Sequence, residues 1–137
     1  TLHMPFRWKR KKENTLHQFF DDFKSNTEPF KIEIDGVDHF GNRVIFLSIA
    51  DNIMLRQFQG RLATNMKRHL NLFNVNYKDN PFHPHITLAF RNLKKQYFDE
   101  AFDHYRSLAY SDSFQSSQFS LLKHDGNKWQ VFKKYQY

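Results

Sequence analysis

Apolar residues return along the chain with two different periods, and the switches between them lay out the elements. Leu16, Phe19, Phe20 and Phe23 recur at three- and four-residue intervals, and Thr15 with Gln18 matches capping-box spacing, so a helix is expected from about Thr15. Glu28-Pro29 breaks it. Phe30, Ile32 and Ile34 then alternate with Lys31, Glu33 and Asp35, the pattern of a strand with one buried face. Asp35-Gly36 and Gly41-Asn42 mark turns or bulges before a second run, Arg43 to Ile49. Together they read as a hairpin. Val44-Ile45-Phe46-Leu47 is apolar in both parities, which puts the second strand in the middle of its sheet.

From Asp51 to about Phe73 runs the longest helical pattern. Met54, Phe58, Leu62, Met66 and Leu70 step by four, while Leu55 and Phe73 widen a stripe that is read as core packing rather than a partner groove. A polar loop, Asn74 to Pro84, leads to a short strand, His85 to Phe90, and to a helix faced by Tyr97, Phe98, Ala101, Phe102 and Tyr105. Phe119 to Lys123 and Trp129 to Tyr137 flank Asp125-Gly126-Asn127, a strong hairpin signal. At the other end, Thr1 to Trp8 reads as a strand entering the basic stretch Arg7, Lys9, Arg10, Lys11 and Lys12.

Composition narrows the class. A chain of 137 residues with 39% apolar and 18% aromatic residues can fill one core, and sixteen Phe are spread along it, so residues 1–137 are expected to form a single ordered domain. No apolar run is long enough to cross a bilayer, and no charged-then-apolar leader stands at the start, so a soluble protein without a membrane partner is expected. The absence of Cys removes disulfides and thiolate metal sites, and fits a cytoplasmic location. A formal charge of +7 favours polyanionic partners such as RNA ends or nucleotides. The first residue is Thr1 rather than Met, and on this reading the N-terminal part of the domain is missing.

Two segments share a local text: Thr1-Leu2, two further residues, then Pro5-Phe6-Arg7; and Thr87-Leu88-Ala89-Phe90-Arg91. Each is followed by a Lys-rich turn, an aromatic-faced helix and a hairpin, so element order implies a repeated half-domain. A pseudo-twofold would set the two Thr-bearing strands across a shared cleft.

Residues i and i+2 of a strand project to one side, so His85 and Thr87 point together. A threonine hydroxyl can donate to a phosphate oxygen, and imidazole is the side chain that exchanges protons near neutral pH. Two such strands facing one phosphate would supply two hydroxyls, one base and one acid, which suits phosphodiester chemistry.

These residues carry a family resemblance. Thr1-Leu2-His3-Met4-Pro5-Phe6 resembles the tail of a first His-x-Thr motif; Phe30 to Phe40 with Arg43 to Leu47 resembles a central hairpin; His83-Pro84-His85-Ile86-Thr87-Leu88 resembles a second motif. The chain resembles the two-histidine phosphoesterase superfamily, close to bacterial 2′-5′ RNA ligase-like proteins. The resemblance implies a bilobal α+β fold, a pseudo-twofold duplicate with two antiparallel sheets around a central cleft and helices outside. It also implies action, without metal or other cofactor, on 2′,3′-cyclic phosphates or 2′,5′-phosphodiester RNA ends, with ligation as the reverse. Thr1 and Thr87 would bind phosphate and His85 would be the base in hydrolysis. The first-motif histidine would stand two residues before Thr1, outside this sequence. His3 lacks a Thr two residues on and is kept as a substrate contact that shares the parity of Thr1. Members of the family often carry Arg three residues after the second-motif Thr; here Phe90 holds that place, and Arg91, with the parity of His85, is kept as a substrate contact. The alternative is an inactive nucleotide- or RNA-binding module of the same fold.

Simpler readings stand beside these. His83, His85 and His39 as metal ligands are disfavoured for want of a carboxylate at ligand spacing. His17, His69, His104 and His124 are read as surface residues. Trp8 and the basic run could grip RNA, with a solvated loop as the simpler reading. Tyr135 and Tyr137 are core or ligand-facing, and the oligomeric state is left open.

Overall fold

The computed structural model describes residues 1–74 and 81–137, so residues 75–80 of the polar loop lie outside it. The fold is α+β, with three α-helices and two antiparallel sheets among the described residues. Helix α1 is Glu13–Lys24, α2 is Ile53–Leu70 and α3 is Phe98–Ser107. Strands β3 (His85–Ala89), β2 (Val44–Ile49), β1 (Phe30–Phe40) and β4 (Ser111–Ser116) form one sheet in that order; β5 (Gln118–His124) and β6 (Trp129–Gln136) form the other. None of the described helices is long and apolar enough to cross a membrane.

Two compact units emerge among the described residues: Thr1 with residues 31–53 and 81–114, and residues 2–30, 54–74 and 115–137. In the first, β2 lies between β3 and β1, and Ile45 and Phe46 have no exposed surface. Successive strand residues face opposite sides, so both faces of β2 are covered, as its unbroken apolar run requires. The rings of Phe98 and Phe102 in α3 meet the edge of His39 on β1 at 5.6 and 4.8 Å. In the second unit an aromatic core joins α1, α2 and the β5–β6 hairpin: Phe20 lies 5.2 Å from Tyr135, Phe23 lies 5.4 Å from Phe58, and Phe119 stacks on Tyr135 at 5.1 Å.

The structure changes several expectations. Residues 1–9 form no strand; Pro5 has no N–H to give a ladder, and side chains rather than a neighbouring strand meet the backbone groups of Leu2 and Met4. Helix α1 begins at Glu13 after a 3₁₀ turn, Arg10–Lys12, so Thr15 lies inside the first turn and caps nothing. Strand β3 stops at Ala89, one residue early. Strand β4, polar and exposed, has no apolar period of its own; it forms by pairing at the sheet edge, where Gly36 N–H donates to Tyr110 O and the Ser111 hydroxyl donates to Ile34 O.

Candidate active site

His85 opens the edge strand β3, and its neighbours on β2 define its surroundings. In the ladder Ser48 faces His85, Leu47 faces Ile86 and Phe46 faces Thr87, a regular register that keeps His85 and Thr87 on one side. Beyond Thr87 the register slips: Ile45 faces Ala89, so Leu88 is an extra residue on β3. The parity argument for Arg91 therefore fails. Arg91 follows the slip and the strand end, sits in a turn, and lays its guanidinium 5.6 Å from the ring of Phe90.

The His85 ring is half-buried and held from several sides. Phe40 meets it edge-on at 5.1 Å, the fully buried Phe46 lies at 5.0 Å, and His83 is 6.2 Å away. Its Nδ1 lies 2.8 Å from the carbonyl oxygen of His83. A carbonyl only accepts, so Nδ1 carries the hydrogen and the neutral ring keeps its lone pair on Nε2. Thr87 is exposed on the same face of the strand. A proton acceptor of fixed orientation with a hydroxyl donor two residues on can receive an anion whose attacking partner must lose a proton.

Thr1 is exposed and falls in the same compact unit as His85, Thr87 and Arg91. His3 falls in the other unit; its Nδ1 donates to Met4 O at 2.8 Å, its ring stands edge-on to Phe6 at 5.8 Å, and its Nε2 is buried with no partner. His39 turns away to Phe98 and Phe102 with its Nδ1 on Gly41 O, and no three His, Cys, Asp or Glu side chains gather among the described residues. Trp8 donates its indole N–H to Lys12 O at 2.8 Å, a local tie within the basic run.

Other histidine and tyrosine positions resolve as well. His17 is half-buried rather than a surface residue, its Nδ1 2.7 Å from the hydroxyl of the fully buried Tyr135. Tyr137 is half-buried, its hydroxyl 2.7 Å from Ser116 Oγ, so both tyrosines belong to packing. Sequence reasoning missed the carbonyl of His83 as the group that orients His85, and missed Phe40. A histidine two residues upstream across a proline carries no signal for such a bond.

A family model described as the 2′-5′ RNA ligase superfamily matches residues 1–128 of the chain. Among solved structures, TT0787 of Thermus thermophilus is similar with a TM-score of 0.65 at 21% identity, covering 95% of this chain and 72% of that one. LigT of E. coli, crystallised with 3′-AMP, gives 0.66 at 19% identity, covering 99% and 74%. A crystal structure of a phosphoesterase gives 0.64 at 18% identity, with 99% and 74% covered. These likenesses show a shared fold. No curated protein matches the chain by sequence.

Proposed function

The chain belongs to the 2′-5′ RNA ligase superfamily, and from that premise we propose that it is a two-histidine phosphoesterase acting on RNA ends that carry a 2′,3′-cyclic phosphate or a 2′,5′-phosphodiester. Residues 1–137 then belong to a single domain of this kind, with His85, Thr87 and Thr1 as its reacting and phosphate-binding residues and with His3 and Arg91 as lesser substrate contacts.

The observation that carries it is the bond from His85 Nδ1 to the His83 carbonyl, which leaves Nε2 as a base beside the Thr87 hydroxyl. In hydrolysis Nε2 takes a proton from water as the water oxygen bonds to phosphorus. One P–O bond of the cyclic ester breaks, and the released ribose oxygen takes a proton from the second acid. In the family pattern that role belongs to a first-motif histidine, which would stand two residues ahead of Thr1. The hydroxyls of Thr87 and Thr1 donate to the non-bridging oxygens, where negative charge gathers. Ligation is the same forward step with a ribose 5′-hydroxyl in place of water. Nε2 takes its proton, the 5′ oxygen bonds to phosphorus, and the ribose 3′ oxygen leaves with a proton from the second acid, giving a 2′,5′-phosphodiester. The E. coli relative was crystallised with 3′-AMP, a ribonucleotide bearing phosphate on its 3′ oxygen, which supports ribose-phosphate ends as the substrate class. A formal charge of +7 supports a polyanionic one.

The test is opening of a 2′,3′-cyclic nucleotide by the full protein, followed by phosphorus NMR. His85→Ala should lower the rate by roughly 10²–10⁴, the usual worth of a positioned acid or base. Retained turnover sinks the assignment. Salt-sensitive RNA binding by the unaltered protein, without any product, would instead identify a binding module of the same fold.

A further inference from the structure

Residues 2–4 follow Thr1 directly, yet among the described residues no strand pairs with them. Backbone N–H and C=O groups shielded from water need partners, so the question is what supplies them. The Leu2 carbonyl accepts from Gln59 Nε2 at 3.1 Å, and the Met4 N–H donates to Asn74 Oδ1 at 3.0 Å. Two side chains thus do the work of a sheet ladder on either side of His3.

Neither side chain is there by default. Gln59 is 7% exposed and is the one polar residue in the buried set among the described residues, lying beside Leu55, Phe58, Leu62 and Met66 on the inward stripe of α2. A buried amide that makes no hydrogen bond is costly, so an apolar residue would serve packing better. Asn74 is delivered by the end of the same helix: Asn71 adopts φ 56°, the left-handed conformation that stops a helix, and Leu72 N–H returns to Met66 O at 3.2 Å. One helix therefore provides both arms. Two further polar atoms, His3 Nε2 and Asn74 Nδ2, are buried without partners around the same turn of chain. With His3 Nδ1 donating to Met4 O, Nε2 is an acceptor while Asn74 Nδ2 is a donor.

We propose that Gln59 and Asn74 form a backbone clamp on Leu2 and Met4 that positions the Thr1 hydroxyl for phosphate. This rests on the role given to Thr1 above. Both are positioning residues; neither touches substrate.

The experiment combines kinetics on a 2′,3′-cyclic nucleotide with amide hydrogen exchange at Met4, all on the full protein. Gln59→Leu and Asn74→Leu should each lower kcat/KM about tenfold, a small misplacement being enough for such a loss. Asn74→Asp keeps the oxygen that accepts from Met4 and should stay within about threefold of wild type. Exchange at the Met4 amide should quicken in Asn74→Leu and not in Asn74→Asp. Combined with Thr1→Val, the Gln59→Leu loss should shrink, because a clamp that acts through Thr1 has nothing left to position. Wild-type kcat/KM in both leucine variants, or losses that multiply with Thr1→Val, would overturn the proposal. If the unaltered protein opens no cyclic phosphate, the enzymatic reading fails, while unchanged Met4 exchange in Asn74→Leu refutes the clamp by itself.

Discussion

His85 Nδ1 lies 2.8 Å from the carbonyl oxygen of His83, two residues earlier and across Pro84, so the segment leading into β3 fixes the tautomer of the ring that the strand presents. Nitrogen-15 NMR of the neutral protein should accordingly show His85 Nδ1 as the protonated, pyrrole-type nitrogen and Nε2 as the imine type. The reverse pattern would remove the base from the position the mechanism requires.

Phe40 tests whether the ring wall matters apart from the fold. It is 40% exposed, yet its ring lies 5.1 Å from His85 and 4.3 Å from Phe46. Phe40→Ala should cost about 1–2 kcal/mol, because only part of the ring leaves water. Phe46→Ala, at a site with no exposed surface, should cost about 3–5 kcal/mol. If the wall holds His85 in its rotamer, Phe40→Ala lowers kcat several-fold with KM nearly unchanged. An unchanged kcat in a folded Phe40→Ala protein would make that contact packing alone.

Much of this arrangement was legible along the chain because burial leaves a period. Val44 to Leu47, apolar in both parities, marked β2 as central, and within the stripe read from Met54 to Phe73, Leu55, Phe58, Leu62 and Met66 are the buried side of α2, while Met54 at its first turn and Phe73 beyond its end are exposed. What stayed hidden depends on partners rather than on local pattern. The slip at Leu88 is a property of two strands, so parity counted on β3 alone could not be carried past it to Arg91, which lies in the turn after the strand. Thr1-Leu2-His3-Met4 looks extended, but a strand needs a neighbour, and here the neighbours are Gln59 and Asn74. Gln59 did leave a mark: it is four residues after Leu55, a polar residue at a core position of the stripe. Polar β4 left none, since its order comes from the edge of β1.

The pair of His17 and Tyr135 predicts an alkaline limb of stability. Burial first, and then the Asp21 carboxylate, push the Tyr135 phenol up to about 12, while Lys24 and Lys133 hold Asp21 below its usual range. The folded state thus holds the phenol proton more tightly than the unfolded chain, where it leaves near ~10. Its stabilising effect is complete below pH ~10 and disappears as pH rises through about 12. Tyr135→Phe should lower stability at neutral pH by about 1 kcal/mol, through the lost bond to His17, and flatten the fall above pH ~10. Denaturant melts at a series of alkaline pH values measure both, and an equally steep fall in the variant would assign the limb to another group.

Arg61 shows why charge alone does not describe a basic residue in this chain. Its Nη1 donates to Asn26 O and its Nη2 to Thr27 Oγ1, both at 2.6 Å, and its guanidinium carbon lies 4.9 Å from the ring centre of Phe23. One planar group therefore ties the segment after α1 to α2 by two bonds and a cation–π contact. Lysine preserves the charge but offers a single ammonium, which cannot make the same fork. Arg61→Lys should lose about 1 kcal/mol and Arg61→Ala about 1–2 kcal/mol, discounted for the exposure of the side chain. The loss should persist in high salt, because it comes from geometry more than from long-range attraction. Thermal melts at low and high ionic strength decide the matter: a lysine variant equal to wild type in both would reduce Arg61 to a surface charge.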